Sequence, residues 1–500
     1  MQALPAEIYS VDDVRAMDRC AIDVAGVAGY TLMTRAGEAA VRETLAAFPK
    51  SRRWAVLCGA GNNAGDGYVL ARLAREQGIT VDLIAVSDPD ALSGDAATAR
   101  DDYRAAGGRV LAWPQPIDPD ADVLVDALLG SGLARPVGGR IADAVAAIYA
   151  HRAPVVALDL PTGIHGDTGA RLGSAVDADL TITFVALKAG LFLGDGIAAA
   201  GSLAFDGLGV PGECRRRAEP VLRRMTGRVL RTALPRRRRD AHKGHFGHVA
   251  VVGGGPGMPG AARLAGEAAL RAGAGKVTVA TWPAHAASIG TACPELMTCA
   301  VDTAATLSAL LDIVDVVAFG PGLGDGDWAR GVFDVVAASP LPSVWDADAL
   351  NLLARDKGGR GPVAARVITP HPGEAARLLG MSARDVQADR RGTVLALQRR
   401  YGGVAVLKGA GTLVAVHDTV PAVCTAGNPG MAAAGMGDVL TGVIGGLLAQ
   451  GLAPATAATA GVLLHARAGD LAAEEGERGL MARDVIAALR PAMQAAVGRG

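Results

Sequence analysis

Asp438 stands directly behind Gly435 and Gly437 in NPGMAAAGMGDVLTGVIGGLLAQG, where a glycine-bounded turn runs into an apolar helix. Backbone N–H groups at such a helix start can stabilise a transferring phosphoryl group while the carboxylate takes a proton from the attacking hydroxyl. An aspartate at that place also serves as a plain helix cap. Lys408-Gly409-Ala410-Gly411-Thr412 follows the apolar run VAVLK and offers flexible backbone near a nucleotide. ITPHPGEAARLLG puts His371 and Glu374 at a strand-to-helix junction. No G-x-x-x-x-G-K-[ST] string occurs, so the set is not a Walker-type NTPase site. His242, His245 and His248 lack the regular spacing with carboxylates that a zinc site needs.

A second set lies near the N-terminus. WAVLC runs into GAGNNAGDGYVLARLA, residues 59–74, a glycine-rich loop that opens an amphipathic helix and so can hold an anion. Gly59-x-Gly61-x-x-Ala64 alone is a weak dinucleotide fingerprint. Asn62, Asn63 and Asp66 add oxygen and amide groups, which suit a cation or a polar head group. Asp126-Ala-Leu-Leu-Gly130-Ser-Gly132, Asp159-Leu-Pro-Thr162-Gly and Phe184 to Lys188 fall at strand ends, where an open α/β sheet gathers its ligands. Each is also ordinary turn chemistry. Lys188 is a second proton-transfer candidate there, with a surface lysine as the plainer reading.

The elements that must position these residues are those of α/β domains. WAVLC, VDLIAV, DVLVDALLG, PVVALDLP and LTITFV alternate with helical stretches, then HVAVVGG opens a second series through KVTVAT, VDVVAFG, SVWDAD, RVITP and VAVLKG. We expect a Rossmann-like three-layer domain over residues 1–210, an Arg-rich linker over 211–235, and a second α/β domain over 236–500. The 500 residues exceed one ordinary core, and a 4% aromatic share with 67 Gly suits aliphatic sheets with tight turns.

A formal net charge of -1 supplies no field for nucleic acid or an anionic membrane. The first residues lack a signal-peptide pattern, and Gly451 and Pro454 divide the uncharged stretch Val439 to His465 into two helices rather than a membrane span. Cys20, Cys58, Cys214, Cys293, Cys299 and Cys424 are scattered without C-x-x-C pairs, so six reduced cysteines and a cytoplasmic protein are expected. Cys58 reads as core.

GAGNNAGDG, VDALLGSGL, DLPTG and the early TLMTRAGEAA resemble the epimerase domain that interconverts the two forms of hydrated NADH or NADPH, NAD(P)HX. This resemblance covers residues 8–210. It implies that Asn62, Asn63, Ala64, Gly65 and Asp66, with Gly130, Ser131, Gly132, Leu133, Ala134, Arg135 and Pro136, line the hydrate site. Asp159 would contact the substrate and carry catalysis, and Asn63, Asp126 and Thr162 would bind a potassium ion. Ala64 stands where the family usually has Gly, and Thr162 where Ser is usual; Thr keeps the hydroxyl ligand.

HKGxxG, GMPGAARLAGEAALRAGAG, GPGLG, DADAL, TPHPGE, KGAGT and NPGMAxxGxGDVL, in this order, are similar to the ADP- or ATP-dependent NAD(P)HX dehydratase domain, of ribokinase-like fold. That similarity implies Ala261, Gly322 or Gly324, and His371 at the hydrate. It places Lys408 to Thr412 and Gly437 at the adenine nucleotide, with Asp438 as base. Implied cofactors are K+ in the first domain, and Mg2+ with ADP, or ATP, in the second. Implied partners are NADHX, NADPHX and an adenine nucleotide, in a homo-oligomer. The competing readings are a small-molecule sugar or vitamin kinase and an NAD-binding sensor whose first domain binds without turnover.

Overall fold

The apolar runs become strands where their aliphatic and β-branched residues can be buried on both faces of a parallel sheet. The computed structural model describes residues 4–356 and 363–497. It divides into two compact units between Arg223 and Arg224. In chain order the first unit has β1 (Glu7–Tyr9), β2 (Arg53–Cys58), β3 (Thr80–Ala85), β4 (Val110–Ala112), β5 (Val123–Ala127), β6 (Val155–Leu158), β7 (Leu180–Phe184), β8 (Leu187–Lys188), β9 (Ser202–Asp206) and β10 (Leu222–Arg224).

Seven of these form a sheet in the order β4-β3-β2-β5-β6-β7-β9, with every pair parallel. From β2 the chain winds outward through β3 and β4, then returns to β5 on the other side. A Rossmann-like sheet built this way opens a crevice at the carboxyl ends of β2 and β5. Alternation within β2 sends Trp54, Val56 and Cys58 into one apolar layer, with helix Asn62–Glu76, and Ala55 and Leu57 into the other, with helix Gly139–Ala150. The three layers follow from that alternation. β1 lies outside this sheet, parallel to β8 with Tyr9 opposite Lys188, and antiparallel to β10.

Two features differ from expectation, one of them across the boundary between the units. The stretch read as a linker, 211–235, carries helix Gly212–Arg215, β10 and helix Gly227–Ala233. Cys214, Leu222, Leu230 and Ala233 are buried, so interspersed apolar residues order what its arginines made look like a solvated connection. The cysteines are not all reduced. Cys20 on helix Val11–Asp23 is bonded to Cys214, across 194 residues of sequence and 5.6 Å between Cα atoms. Folding creates that pair, so no local spacing announces it. Cys58 is free and lies in the core, and burial pushes its thiol up.

The second unit has β11 (His248–Val252), β12 (Lys276–Thr281), β13 (Met297–Ala300), β14 (Val316–Phe319), β15 (Ser343–Trp345), β16 (Arg366–Ile368), β17 (Val404–Leu407), β18 (Leu413–Val416) and β19 (Ala422–Val423). Their order is β13-β12-β11-β14-β15-β16-β17-β18-β19. Pairing is parallel as far as β17 and antiparallel beyond it.

Helix Met436–Ala449 lies between this sheet and helix Pro259–Ala272. A Cβ on Gly442 would stand 2.0 Å from the Ala265 carbonyl oxygen, and one on Gly446 2.6 Å from that of Ala269. On the opposite side Gly445 faces Ala318 and Val249. Small residues on both faces let this helix approach backbone closely and fix its N-terminal turn. The uncharged stretch Val439 to His465 falls in helices Met436–Ala449 and Pro454–Ala472. Among the described residues no helix is long and apolar enough to cross a membrane.

Candidate active sites

The crevice of the first unit deepens into a cavity of about 840 Å³, within the range of small-ligand pockets. Asn62, Asn63, Asp66, every residue from Gly130 to Pro136, Asp159 and Lys188 line it. Ala64 and Gly65 do not. Ala64 is buried in the core beneath the loop, and a Cβ on Gly65 would stand 2.6 Å from Met33 Cε. Gly59 makes the crossing of the β2 and β5 loops possible, because a Cβ there would lie 2.0 Å from the Leu128 carbonyl oxygen.

Asp159 sits just past β6 with φ 66°, a left-handed backbone that a non-glycine residue adopts at a cost. Its Oδ2 accepts from the Ser131 N–H at 3.3 Å, and its Oδ1 is ion-paired with Lys188 Nζ. Lys188 is not a surface residue. Its side chain is 2% exposed, because β8 is held against β1 and turns the ammonium inward.

Two more carboxyls converge here. Burial pushes Asp18, from helix Val11–Asp23, up to about 6; the Lys188 charge opposes that rise and Asp159 adds to it. Burial, then the charges of Asp159 and Asp18, drive Asp66 well above the usual carboxylate range. The cavity thus sets two carboxyls that burial favours in their protonated form beside a paired carboxylate.

Deeper in the same crevice Asp126 is fully buried at the end of β5. Its Oδ1 accepts from Thr162 Oγ1 at 2.7 Å and its Oδ2 from the Thr162 N–H at 2.8 Å. Burial still lifts the carboxyl to about 6 against those bonds. The Leu129 N–H donates to Thr162 Oγ1 at 3.0 Å, and a Cβ on the next residue, Gly130, would lie 3.2 Å from Asn63 Cγ. Both polar atoms of the Asn63 side chain are buried without a partner. A buried carboxylate with no cation of its own, a hydroxyl and an orphaned amide oxygen form a donor set suited to a monovalent cation.

In the second unit Gly435, φ 87°, occupies the cap of helix Met436–Ala449, with no side-chain cap bond. Asp438 is the third helical residue, so the capping role belongs to the glycine. Burial pushes the Asp438 carboxyl up to about 7; Asp346 adds to that rise and Lys408 opposes it.

Asp346, 1% exposed at the end of β15, anchors the cluster. Its Oδ1 accepts from Lys408 Nζ at 2.5 Å and its Oδ2 from Thr441 Oγ1 at 2.8 Å. Burial works against the Asp346 charge, but Lys408 and these hydrogen bonds outweigh it and hold the carboxyl below its ordinary range. Lys408 Nζ also lies 3.8 Å from Glu374 Oε2, and burial lifts Glu374 to about 7. A Cβ on Gly437 would stand 3.1 Å from Lys408 Nζ, so bare backbone brings the helix N-terminus to that ammonium.

The remaining positions arrange around this cluster. Lys408 turns its side chain inward, while Gly409, with φ 127°, and Ala410 expose backbone. Thr412 Oγ1 closes the turn by donating to the Gly409 carbonyl at 2.8 Å, and Arg390 Nη2 braces Lys408 O at 3.2 Å. His371 caps helix Pro372–Leu379: its Nδ1 accepts from the Gly373 N–H at 3.0 Å, and its own N–H donates to Glu374 Oε2 at 2.7 Å. Burial and then Lys408 lower the His371 imidazole.

Gly322, φ 57°, sits against Ala261, since a Cβ on it would lie 2.9 Å from the Ala261 Cβ. The Gly324 N–H donates to Asp348 Oδ2 at 2.8 Å, and Asp348 adds to the upward shift of Asp438. Among the described residues no three His, Cys, Asp or Glu side chains gather to hold a metal ion.

Sequence reasoning singled out neither Asp18 nor Asp346 as a site residue. Asp346 carried a readable signal in SVWDADAL, an aspartate at the carboxyl end of a strand, where such sheets place their ligands. Asp18 carried none, because helix Val11–Asp23 is joined to the site by the tertiary fold alone.

A family model described as YjeF-related protein N-terminus matches residues 29–190, and one described as NAD(P)H-hydrate dehydratase matches residues 249–491. A bifunctional NAD(P)H-hydrate repair enzyme Nnr of Coxiella burnetii is 47% identical over 484 residues, covering 97% of this chain and 98% of that protein. Its namesake in Escherichia coli K12 is 46% identical over 493 residues, covering 98% and 94%. A ribokinase-like superfamily protein of Enterococcus faecalis V583 superposes with TM-score 0.51 and 28% identity, over 55% of this chain and 96% of that one. That likeness agrees with the ribokinase-like sheet of the second unit. With relatives of this identity aligned along nearly its whole length, the chain belongs to the family of bifunctional NAD(P)H-hydrate repair enzymes.

Proposed function

We propose that the first unit interconverts the R and S forms of NADHX and NADPHX, and that the second dehydrates the S form to NAD(P)H at the expense of ADP, with AMP and phosphate as products. The observation that carries this reading is that one chain holds two clusters in which a lysine is ion-paired with a carboxylate at the edge of a parallel sheet. Asp159 with Lys188 lies at the carboxyl edge of one parallel sheet, and Asp438 beside Asp346 and Lys408 at that of another.

In the first unit the substrate hydroxyl sits on a carbon next to the ring nitrogen. That carbon can lose and regain oxygen through an iminium or ring-opened species while Asp159 shuttles the proton. Asn62 to Asp66 and Gly130 to Pro136 form the expected hydrate site; of these, Ala64 and Gly65 act by packing the loop. Asn63, Asp126 and Thr162 would hold K+, and the orphaned Asn63 amide supports that role. The ion would supply positive charge beside the buried Asp126 and fix the loop that carries Gly130.

In the second unit Asp438 takes the proton of the ring hydroxyl as its oxygen bonds to the terminal phosphorus of ADP; the bridging P–O bond breaks and AMP leaves. The ring nitrogen then expels phosphate, and loss of a proton restores the dihydronicotinamide. Ala261, Gly322, Gly324 and His371 would meet the hydrate, and Lys408 to Thr412 with Gly437 the nucleotide. Mg2+ would be bound through nucleotide phosphates and water, since no protein cage is built for it among the described residues. Incubating mixed hydrate epimers with ADP or ATP and following NADH absorbance tests the proposal. Full recovery with ADP supports it; recovery with ATP alone, or with neither, contradicts it.

A further inference from the structure

We infer that Lys188 is the positioning residue of the epimerase centre: its ammonium fixes the side chain of Asp159 so that one carboxylate oxygen is committed to the protein and the other faces the substrate. The inference rests on the epimerase reading proposed above.

Lys188 spends all three N–H donors on protein acceptors. Nζ donates to Asp159 Oδ1, to Thr183 Oγ1 at 3.1 Å and to the Phe184 carbonyl at 2.8 Å. A buried ammonium saturated in this way has no donor left for a ligand, which sets it apart from a group that touches the reacting atoms. Asp159 is left with Oδ2, which receives a single longer bond from the Ser131 N–H at 3.3 Å, on the wall of the cavity. The left-handed backbone of Asp159 aims the carboxylate, and Lys188 locks its rotation.

The lock has its own support. β8 pairs in parallel with β1, Ile8 opposite Leu187 and Tyr9 opposite Lys188. Residues before the matched family segment thus hold the lysine backbone in place. Other charged groups face the same space: Asp18 and Arg15 from helix Val11–Asp23, Asp66 from helix Asn62–Glu76, Asp95 from helix Gly94–Ala105 and Arg135 from the loop after β5 line the cavity, with Arg19 acting on Asp18. Among these Lys188 alone is ion-paired with Asp159. Without it, the four carboxyls of the cavity, Asp18, Asp66, Asp95 and Asp159, would have no buried ammonium among them.

The test is the pH dependence of epimerisation, read as the slow phase of NADH recovery after the S form is consumed by excess dehydratase and ADP. Wild type comes first: if it does not interconvert the epimers, the epimerase reading fails and this inference with it. If it does, Lys188→Met is expected to lower kcat on the order of 10²-fold with KM little changed, since loss of orientation of this size is typical of a misplaced catalytic group. It is also expected to move the acid limb of the rate profile to higher pH, because a carboxylate that loses its cation is harder to ionise. Lys188→Arg, which restores the charge, should return that limb toward the wild-type position. A folded Lys188→Met with wild-type kcat, or with reduced kcat and an unmoved acid limb, overturns the inference. If Lys188→Met does not fold, Thr183→Val decides the matter by removing one anchor of Nζ at nearly constant volume; a lowered kcat at constant KM supports the assignment and an unchanged kcat overturns it.

Discussion

Asp438→Asn keeps the shape of the side chain and removes its charge, so it separates what Asp438 does for the reaction from what it costs the fold. The carboxyl is raised from 3.8 to about 7 by burial and Asp346. At about 1.4 kcal/mol per factor of ten, that displacement corresponds to about 4 kcal/mol between its two protonation states. Because the folded chain holds this proton more tightly than the unfolded one, stability falls as pH rises from about 4 to about 7, and the full cost is present above that range. The asparagine variant escapes it. It is expected to be more stable than wild type by about 2–4 kcal/mol at about pH 8, with the difference vanishing below about pH 4. In the same variant nucleotide-dependent dehydration should fall on the order of 10²–10⁴-fold, the usual contribution of a positioned base. Wild-type dehydration should rise with pH through about 7, as the base form is populated. Urea unfolding at acid and alkaline pH, beside NADH recovery from the S hydrate, gives both quantities. A variant that gains no stability at alkaline pH shows that Asp438 carries no burial cost, and one that dehydrates as fast as wild type rules it out as the base.

Asn63→Ala should weaken activation of epimerisation by K+ on the order of tenfold or more, as loss of a direct ligand does, measured as epimerase rate against K+ concentration at constant ionic strength; an unchanged dependence removes Asn63 from the ion site. Cys20→Ser should destabilise the first unit by about 2–4 kcal/mol without reductant and by little in its presence, since the bond to Cys214 closes a loop spanning 194 residues. Equal losses in both conditions, by thermal unfolding, would mean the pair is not joined. Gly442→Ala puts a Cβ 2.0 Å from the Ala265 carbonyl oxygen and must shift helix Met436–Ala449. It should cost about 1–3 kcal/mol and slow dehydration while leaving epimerisation intact; an unchanged Tm would show that the helices yield freely.

Much of the fold was legible because each parallel strand is a continuous apolar run ended by Asp, Gly or Pro. WAVLC became β2 and DVLVDALLG β5, with their loops crossing at the switch point. The short strands were not, since β1, β8 and β10 have two or three residues each and take their order from tertiary pairing. For the same reason Lys188 read as a surface residue when it is a buried one. The stretch 211–235 reads as a linker on composition, because its arginines outnumber Leu222 and Leu230, yet both leucines are buried. Asp438 was found by its glycines. Asp346, which holds both Lys408 and Thr441, was hidden inside a strand-end string whose partners lie 62 and 95 residues away.

Complementation between variants shows whether two centres in one chain perform two successive steps. Asp159→Asn and Asp438→Asn proteins are assayed singly and mixed, with ADP and a mixture of both hydrate epimers. The expected result is that Asp159→Asn restores only the S share of the NADH absorbance, Asp438→Asn restores almost none, and the mixture restores nearly all of it. Loss of both activities in either folded variant, or a mixture that stops at the S share, would contradict the account.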